Sequence, residues 1–114
     1  MNTEEQQRLL KRTVQEMRRG SLVLAVLSML PEKKYGYELL KKMNELEFNL
    51  SQDTLYPLLR RLDEQNLIDS EWIVDTTRPR KYYIINENGR SLLIDLTKEW
   101  KSQNTRLMEV MNGD

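Results

Sequence analysis

Leu55, Leu58, Leu59 and Leu62 fall at i, i+3, i+4 and i+7, a spacing that puts all of them on one face of a helix and excludes an alternating strand. Ser51 stands where an N-cap belongs and Asp53 is in the first turn, so a helix runs from there to about Gln65. Pro57 violates a local rule inside it, removing one intrahelical hydrogen bond at a cost of about 3 kcal/mol unless the turn adapts. Such violations mark special geometry or a functional surface. With the leucines inward, the opposite face displays Gln52, Asp53, Tyr56, Pro57, Arg60, Arg61 and Glu64, with Thr54 near the N-terminal end.

The flanking sequence has the same helical character upstream and a different one downstream. Thr3 to Arg19 lacks Gly and Pro and carries Leu10, Val14 and Met17 along one stripe, predicting a first amphipathic helix. Gly20 is expected to break it, Ser21 to cap a new helix, and Leu22 to Leu30, apolar almost all round, to be buried until Pro31. After a turn, Leu39, Leu40, Met43 and Leu46 predict a third helix. From Ile68 to Ile85 the residues are β-branched or aromatic around a polar loop, Asp75 to Lys81, predicting two strands. Asn86 is a candidate cap, and from Leu92 a long helix runs toward Asn112 to Asp114, which are expected to fray. In it Leu93, Leu96, Trp100, Gln103, Leu107 and Val110 step by three and four, a heptad seam with no obvious partner in so small a core.

This order of elements predicts a mainly α fold with a small β-hairpin: a winged helix-turn-helix flanked by N-terminal and C-terminal dimerisation helices. At 114 residues there is room for one hydrophobic core. Residues 1–19 form the leading helix, 20–86 the winged unit and 87–114 the terminal helix. The helix from Gln52 is the expected major-groove probe. The chain as a whole is neutral, with 18 basic and 18 acidic side chains, so a polyanion must be met by local charge. Arg78, Arg80 and Lys81 within four residues supply it, on a loop that Pro79 stiffens. Taken singly, each basic cluster is also what a solvated surface looks like.

Several function classes lose ground. Without Cys or His, thiolate chemistry, zinc and haem ligation and the usual neutral-pH proton shuttle are missing. No glycine-rich phosphate loop is present either, so neither an enzyme nor a cofactor or metal site is expected. The apolar run 22–30 falls short of the roughly 20 residues of a membrane span. Met1 to Gln7 lack the features of a secretory signal, and a cytoplasmic location is expected. The competing reading is a winged-helix protein-interaction module without DNA binding.

Tyr35-Gly36-Tyr37-Glu38-Leu39, then Thr54-Leu55-Tyr56-Pro57-Leu58-Leu59-Arg60-Arg61-Leu62, then Arg78-Pro79-Arg80-Lys81-Tyr82-Tyr83 together resemble the signature of PadR-type repressors. The ordered combination is far more specific than any one stretch. The resemblance implies a homodimeric winged-helix repressor on a near-palindromic operator. It places Tyr37, Ser51, Thr54, Tyr56 and Arg60 near DNA and Arg80 and Lys81 on the wing, and it accounts for Tyr56-Pro57 as a family trait. Tyr35 is expected to anchor a turn by packing. The single C-terminal helix is similar to the short, LmrR-like subgroup that includes multidrug-sensing regulators. There, a tryptophan matching Trp100 faces the mate and stacks on planar aromatic effectors, with Leu96 and Gln103 beside it; packing at the interface is the plainer role for Trp100. Dimerisation is expected through Leu10, Val14, Met17, Leu93, Leu96, Trp100, Leu107 and Val110, because an unpartnered apolar seam demands burial.

Overall fold

The computed structural model describes residues 1–74 and 78–113. Residues 75–77 of the expected loop and Asp114 of the expected frayed end lie outside the described residues. The order of elements is α1 (Thr3–Ser28), β1 (Lys34–Tyr35), α2 (Gly36–Glu45), α3 (Gln52–Glu64), β2 (Ile68–Ile73), β3 (Arg80–Ile85) and α4 (Glu87–Met111). This is a winged helix-turn-helix: α2 and α3 form the turn pair, and β2 and β3 the wing. The leucine face of α3 is buried as expected, Leu55 and Leu59 completely. It packs with Leu22, Val26, Leu27 and Leu30 of α1, Leu39, Leu40 and Met43 of α2, and Ile68 and Ile85 of the wing.

The structure corrects three sequence-based expectations. Gly20 does not break the chain, since α1 runs unbroken through it. A lone helical glycine costs about 1 kcal/mol, which the burial of Leu22, Val26 and Leu27 and the packing of α1 on α4 offset. Next, the sheet has three strands rather than two. Lys34–Tyr35 pairs antiparallel with β3, Tyr35 opposite Tyr82, giving the order β1-β3-β2. Finally, Arg80 and Lys81 stand on β3 and not in the loop, because the ladder continues through Trp72 opposite Lys81 and Ile73 opposite Arg80; α4 begins at Glu87, where Asn86 caps it by accepting from the Gly89 N–H at 2.9 Å.

Two joints fix the geometry. Between α2 and α3, the Asn44 amide donates to the Leu50 carbonyl (2.9 Å) and accepts from the Leu50 N–H (2.7 Å). That bracket holds a tight turn in which Glu47 and Asn49 take positive φ. Where the wing meets α4, the Ile85 N–H donates to the Leu30 carbonyl (2.8 Å) and the Asn86 N–H to the Leu67 carbonyl (3.2 Å). Gly89 lies so close to this joint that a Cβ would fall on the Leu67 carbonyl oxygen and within 2.7 Å of Ile85 Cγ1.

The two glycines therefore respond to alanine in opposite directions. Gly20 is exposed with open space around it, so Gly20→Ala raises stability by about 0.5–1 kcal/mol if α1 is continuous. Gly89→Ala, forced against backbone, lowers it by about 1–3 kcal/mol or more. Urea denaturation of both variants measures this; an unstabilised Gly20→Ala would restore the break.

Candidate nucleic-acid interface

The face that α3 leaves outside the core adjoins the wing across an open groove of about 600 Å³. Its walls are Tyr35, Gly36 and Tyr37 at the start of α2, Tyr56 and Arg60 on α3, and Trp72, Arg78, Pro79, Arg80, Lys81 and Tyr83 on the wing. Arg60, Arg78, Arg80 and Lys81 make the lining cationic, and none of these residues is acidic. Folding thus draws charges from distant sequence into one concavity on a chain whose net charge is zero.

The residues singled out from sequence divide between this groove and its rim. Tyr37, Tyr56, Arg60, Arg78, Arg80 and Lys81 line it. Ser51, Gln52 and Thr54 are exposed at the start of α3, while Pro57 and Arg61, a turn apart, are exposed outside the lining. Pro57 sits within α3 early enough that the amide it lacks would have faced Asp53, whose carbonyl can turn to water in the first turn. Ser51 occupies the N-cap position, but its hydroxyl meets that of Thr54 at 3.3 Å instead of a backbone amide.

Tyr56 departs from the simple picture of an exposed reader. It is half-buried against the core, and its ring stands where a Cβ on Gly36 would come within 3.1 Å. Gly36 is thus the small residue that lets α2 approach α3. Tyr35 packs as expected, edge to face with Tyr82 at 5.5 Å, and the Arg80 guanidinium lies 4.5 Å from the centre of its ring. Stacking restrains Arg80, which lowers the entropy lost when the guanidinium meets an anion.

Sequence reasoning missed the clamp between α3 and the wing. Asp63 Oδ2 accepts from Ser70 Oγ at 2.7 Å and lies 4.0 Å from Lys81 Nζ. Lys81 Nζ also stands 5.7 Å from the centre of the Tyr83 ring. The only available signal was strand register: Ser70 opposes Tyr83 and Trp72 opposes Lys81, so all four side chains share one face of the wing.

A second concavity, about 350 Å³, lies between α1 and α4, lined by Ser21, Leu24, Ala25 and Ser28 of α1, Phe48, and Thr97, Trp100 and Lys101 of α4. Trp100 is thus paired with α1 of its own chain, while Leu96 and Gln103 are not part of this lining. Leu93, expected on an outward seam, packs against its own core. The seam has an intrachain partner in its first half because α1 continues past Gly20. Beyond it, the exposed side chains include Leu107 (50%) and Val110 (72%) on α4 and Leu10 (63%) and Met17 (69%) on α1; Val14 is half-buried.

Comparison with known proteins gives one answer. Residues 23–95 match the model of the transcriptional regulator PadR-like family. A PadR family transcriptional regulator from Eggerthella lenta is 34% identical, superimposes with a TM-score of 0.93, and the match covers 98% of this chain and 100% of that one. A PadR-like transcriptional regulator from Bacillus cereus is 30% identical with a TM-score of 0.75, over 87% of this chain and 99% of that one. A Lysinibacillus sphaericus protein of uncharacterised function is 33% identical over 87 residues, 72% of this chain and 80% of its own length.

The interface carries one titration that can be followed. Burial, then the nearby Asp63 and Tyr56, push the Tyr83 hydroxyl above the ordinary tyrosine value of 10.0, against an opposing pull from Arg60. Tyr83 therefore gives up its proton more readily in the unfolded chain. Its contribution to stability is complete below pH 10 and is lost as pH rises through the raised folded value. An ultraviolet titration is expected to show one late-ionising tyrosine, absent in Tyr83→Phe, and denaturation midpoints that fall above that pH more steeply in the wild type than in the variant.

Proposed function

Since the chain belongs to the PadR-like family of transcriptional regulators and is a DNA-binding regulator by that membership, we propose that it is a homodimeric repressor of a near-palindromic operator, released by a planar aromatic effector. It acts in the cytoplasm; among the described residues no helix is long and apolar enough to cross a membrane. The observation that carries the DNA reading is the groove between α3 and the wing, where Arg60, Arg78, Arg80 and Lys81 converge. The N-terminal residues of α3, Ser51, Gln52 and Thr54, enter the major groove with Tyr37 and Tyr56 beside them. Pro57, Arg60 and Arg61 follow the backbone, and the wing cations meet phosphates.

Support for the dimer comes from the helical ends that project past the core. Residues 101–113 are exposed throughout, and so is α1 up to Gly20 apart from Val14. Helical ends of this length are marginal alone in water. Their stripes, Leu10, Val14 and Met17 on α1 and Leu107 and Val110 on α4, are covered if each α1 lies on the mate's α4 about a two-fold axis, with Leu96 and Trp100 near the centre. The two α3 helices then stand about one DNA turn, roughly 34–36 Å, apart.

The effector site is the groove at Trp100, whose largely apolar walls and Phe48 suit a flat aromatic molecule. In the dimer Gln103, one turn beyond Trp100, borders it.

Binding of a duplex carrying the chain's own upstream sequence is expected to weaken on the order of a thousandfold between low and physiological salt. Arg60→Ala or Arg80→Ala, each removing two cations per dimer, lowers the slope of log K against log salt by about two and leaves the dimer intact. Salt-independent association with DNA would favour a protein-interaction module instead. Planar aromatic compounds are expected to quench Trp100 and loosen DNA binding. Trp100→Ala loses that response while remaining dimeric, whereas a monomeric variant would make Trp100 a packing residue.

A further inference from the structure

We propose that Trp72 is a DNA contact of the wing, its indole lying on a deoxyribose and its Nε1–H donated to a backbone phosphate. This rests on the DNA-binding reading above and adds to it a residue that belongs to neither basic cluster. Trp72 lies on β2 opposite Lys81. Strand alternation places Ile68, Ser70 and Trp72 on the face turned toward α3. Ile68 is 1% exposed, and Ser70 is half-buried in its bond to Asp63. At Trp72, by contrast, the indole is 66% exposed.

Folding gives no reason for that placement. Trp72 belongs neither to the buried core nor to the partly buried hydrophobic residues packed around it, and a large aromatic left in water forgoes the stabilisation its burial supplies. Its neighbours say what covers it instead. It shares the groove with Arg60, Arg78, Arg80 and Lys81, a setting that repels an approaching cation and gives an apolar protein surface four charges to desolvate. A polyanion that also offers flat apolar sugar edges suits both the cations and the ring. The indole has a face for the sugar and a single donor for the phosphate.

Because indole carries no charge, its contribution separates cleanly from that of the cations. At fixed salt, Trp72→Ala weakens duplex binding at least about tenfold for each protomer's contact, the worth of one hydrogen bond to a charged group, with the slope of log K against log salt unchanged. Trp72→Phe, which keeps the ring and loses the donor, falls between. In the Trp100→Phe protein, where Trp72 is the remaining tryptophan, emission is expected to change on titration with duplex and to saturate with the binding curve from a labelled duplex. Wild-type affinity in Trp72→Ala, with unmoved Trp72 emission, would overturn the contact while leaving DNA binding standing. A shallower salt slope in Trp72→Ala would make Trp72 a prop for the wing cations and overturn it too. If Trp72→Ala melts early, Trp72→Phe and the emission titration decide the question alone. Absence of salt-dependent duplex binding by the wild type would remove the DNA reading itself.

Discussion

The close approach of the first turn of α4 to the Leu67 carbonyl governs the rest of the molecule. Gly89 permits it, since any side chain there would strike backbone. Asn86 locks it: its side chain accepts from the Gly89 N–H and donates to the Asn66 carbonyl (3.0 Å) and to Asp69 (3.1 Å). One residue earlier, the Ile85 N–H holds the Leu30 carbonyl at the end of α1. Within five residues the chain thus joins α1, the α3–β2 turn, the wing and α4. The direction in which α4 leaves the winged unit is set there.

Cations gather where this joint presents the wing to α3, and they are held differently. Arg80 is restrained by stacking on Tyr35, whereas Lys81 is shared between the Asp63 carboxylate and the Tyr83 ring. A pair at 4.0 Å between partly exposed groups is worth little by itself. Lys81 can therefore exchange Asp63 for a phosphate at small cost, while Asp63 keeps its bond to Ser70 and continues to tie α3 to the wing. Preorganisation and availability coexist because different side chains supply them.

The sequence made the helical core legible, because burial writes its own period: Leu55, Leu58, Leu59 and Leu62 are all buried on the face their spacing implied. The basic cluster of the wing was legible as local charge density, although Arg80 and Lys81 stand on β3 and not on the loop that the polar run 75–81 implied. Other features were not. Gly20 looked like a boundary because propensity is local, whereas the contacts that carry α1 through it lie on α2, α3 and α4. β1 is two residues long and exists only by pairing with β3 nearly 50 residues away, so no periodicity announces it. Trp72 and Asp63 acquired meaning only through strand register, which brings Trp72 beside Lys81 and Ser70 beside Tyr83. Spacing alone turns the whole α4 seam outward, whereas the second half of α1 covers its first half, a contact that local periodicity does not encode.

That continuity of α1 also bears on how an effector can reach DNA. Ser21, Leu24, Ala25 and Ser28 form one wall of the Trp100 groove. The next two residues, Met29 and Leu30, offer their carbonyls to Lys34 Nζ (3.0 Å) and to the Ile85 N–H (2.8 Å), on the outer and central strands of the sheet. On the proposed function, a ligand that spreads α1 from α4 therefore acts on the helix whose end anchors the wing, with no long relay between them. Linkage requires the reverse as well: DNA that fixes the wing must disfavour the same ligand by the same factor, and couplings of this kind amount to about 1–3 kcal/mol. On that function the coupling runs through one short segment, since Ser21 to Ser28 wall the Trp100 groove and Leu30 just beyond them is tied to Ile85 of the wing, so a substitution that loosened Leu30 from Ile85 would uncouple the two.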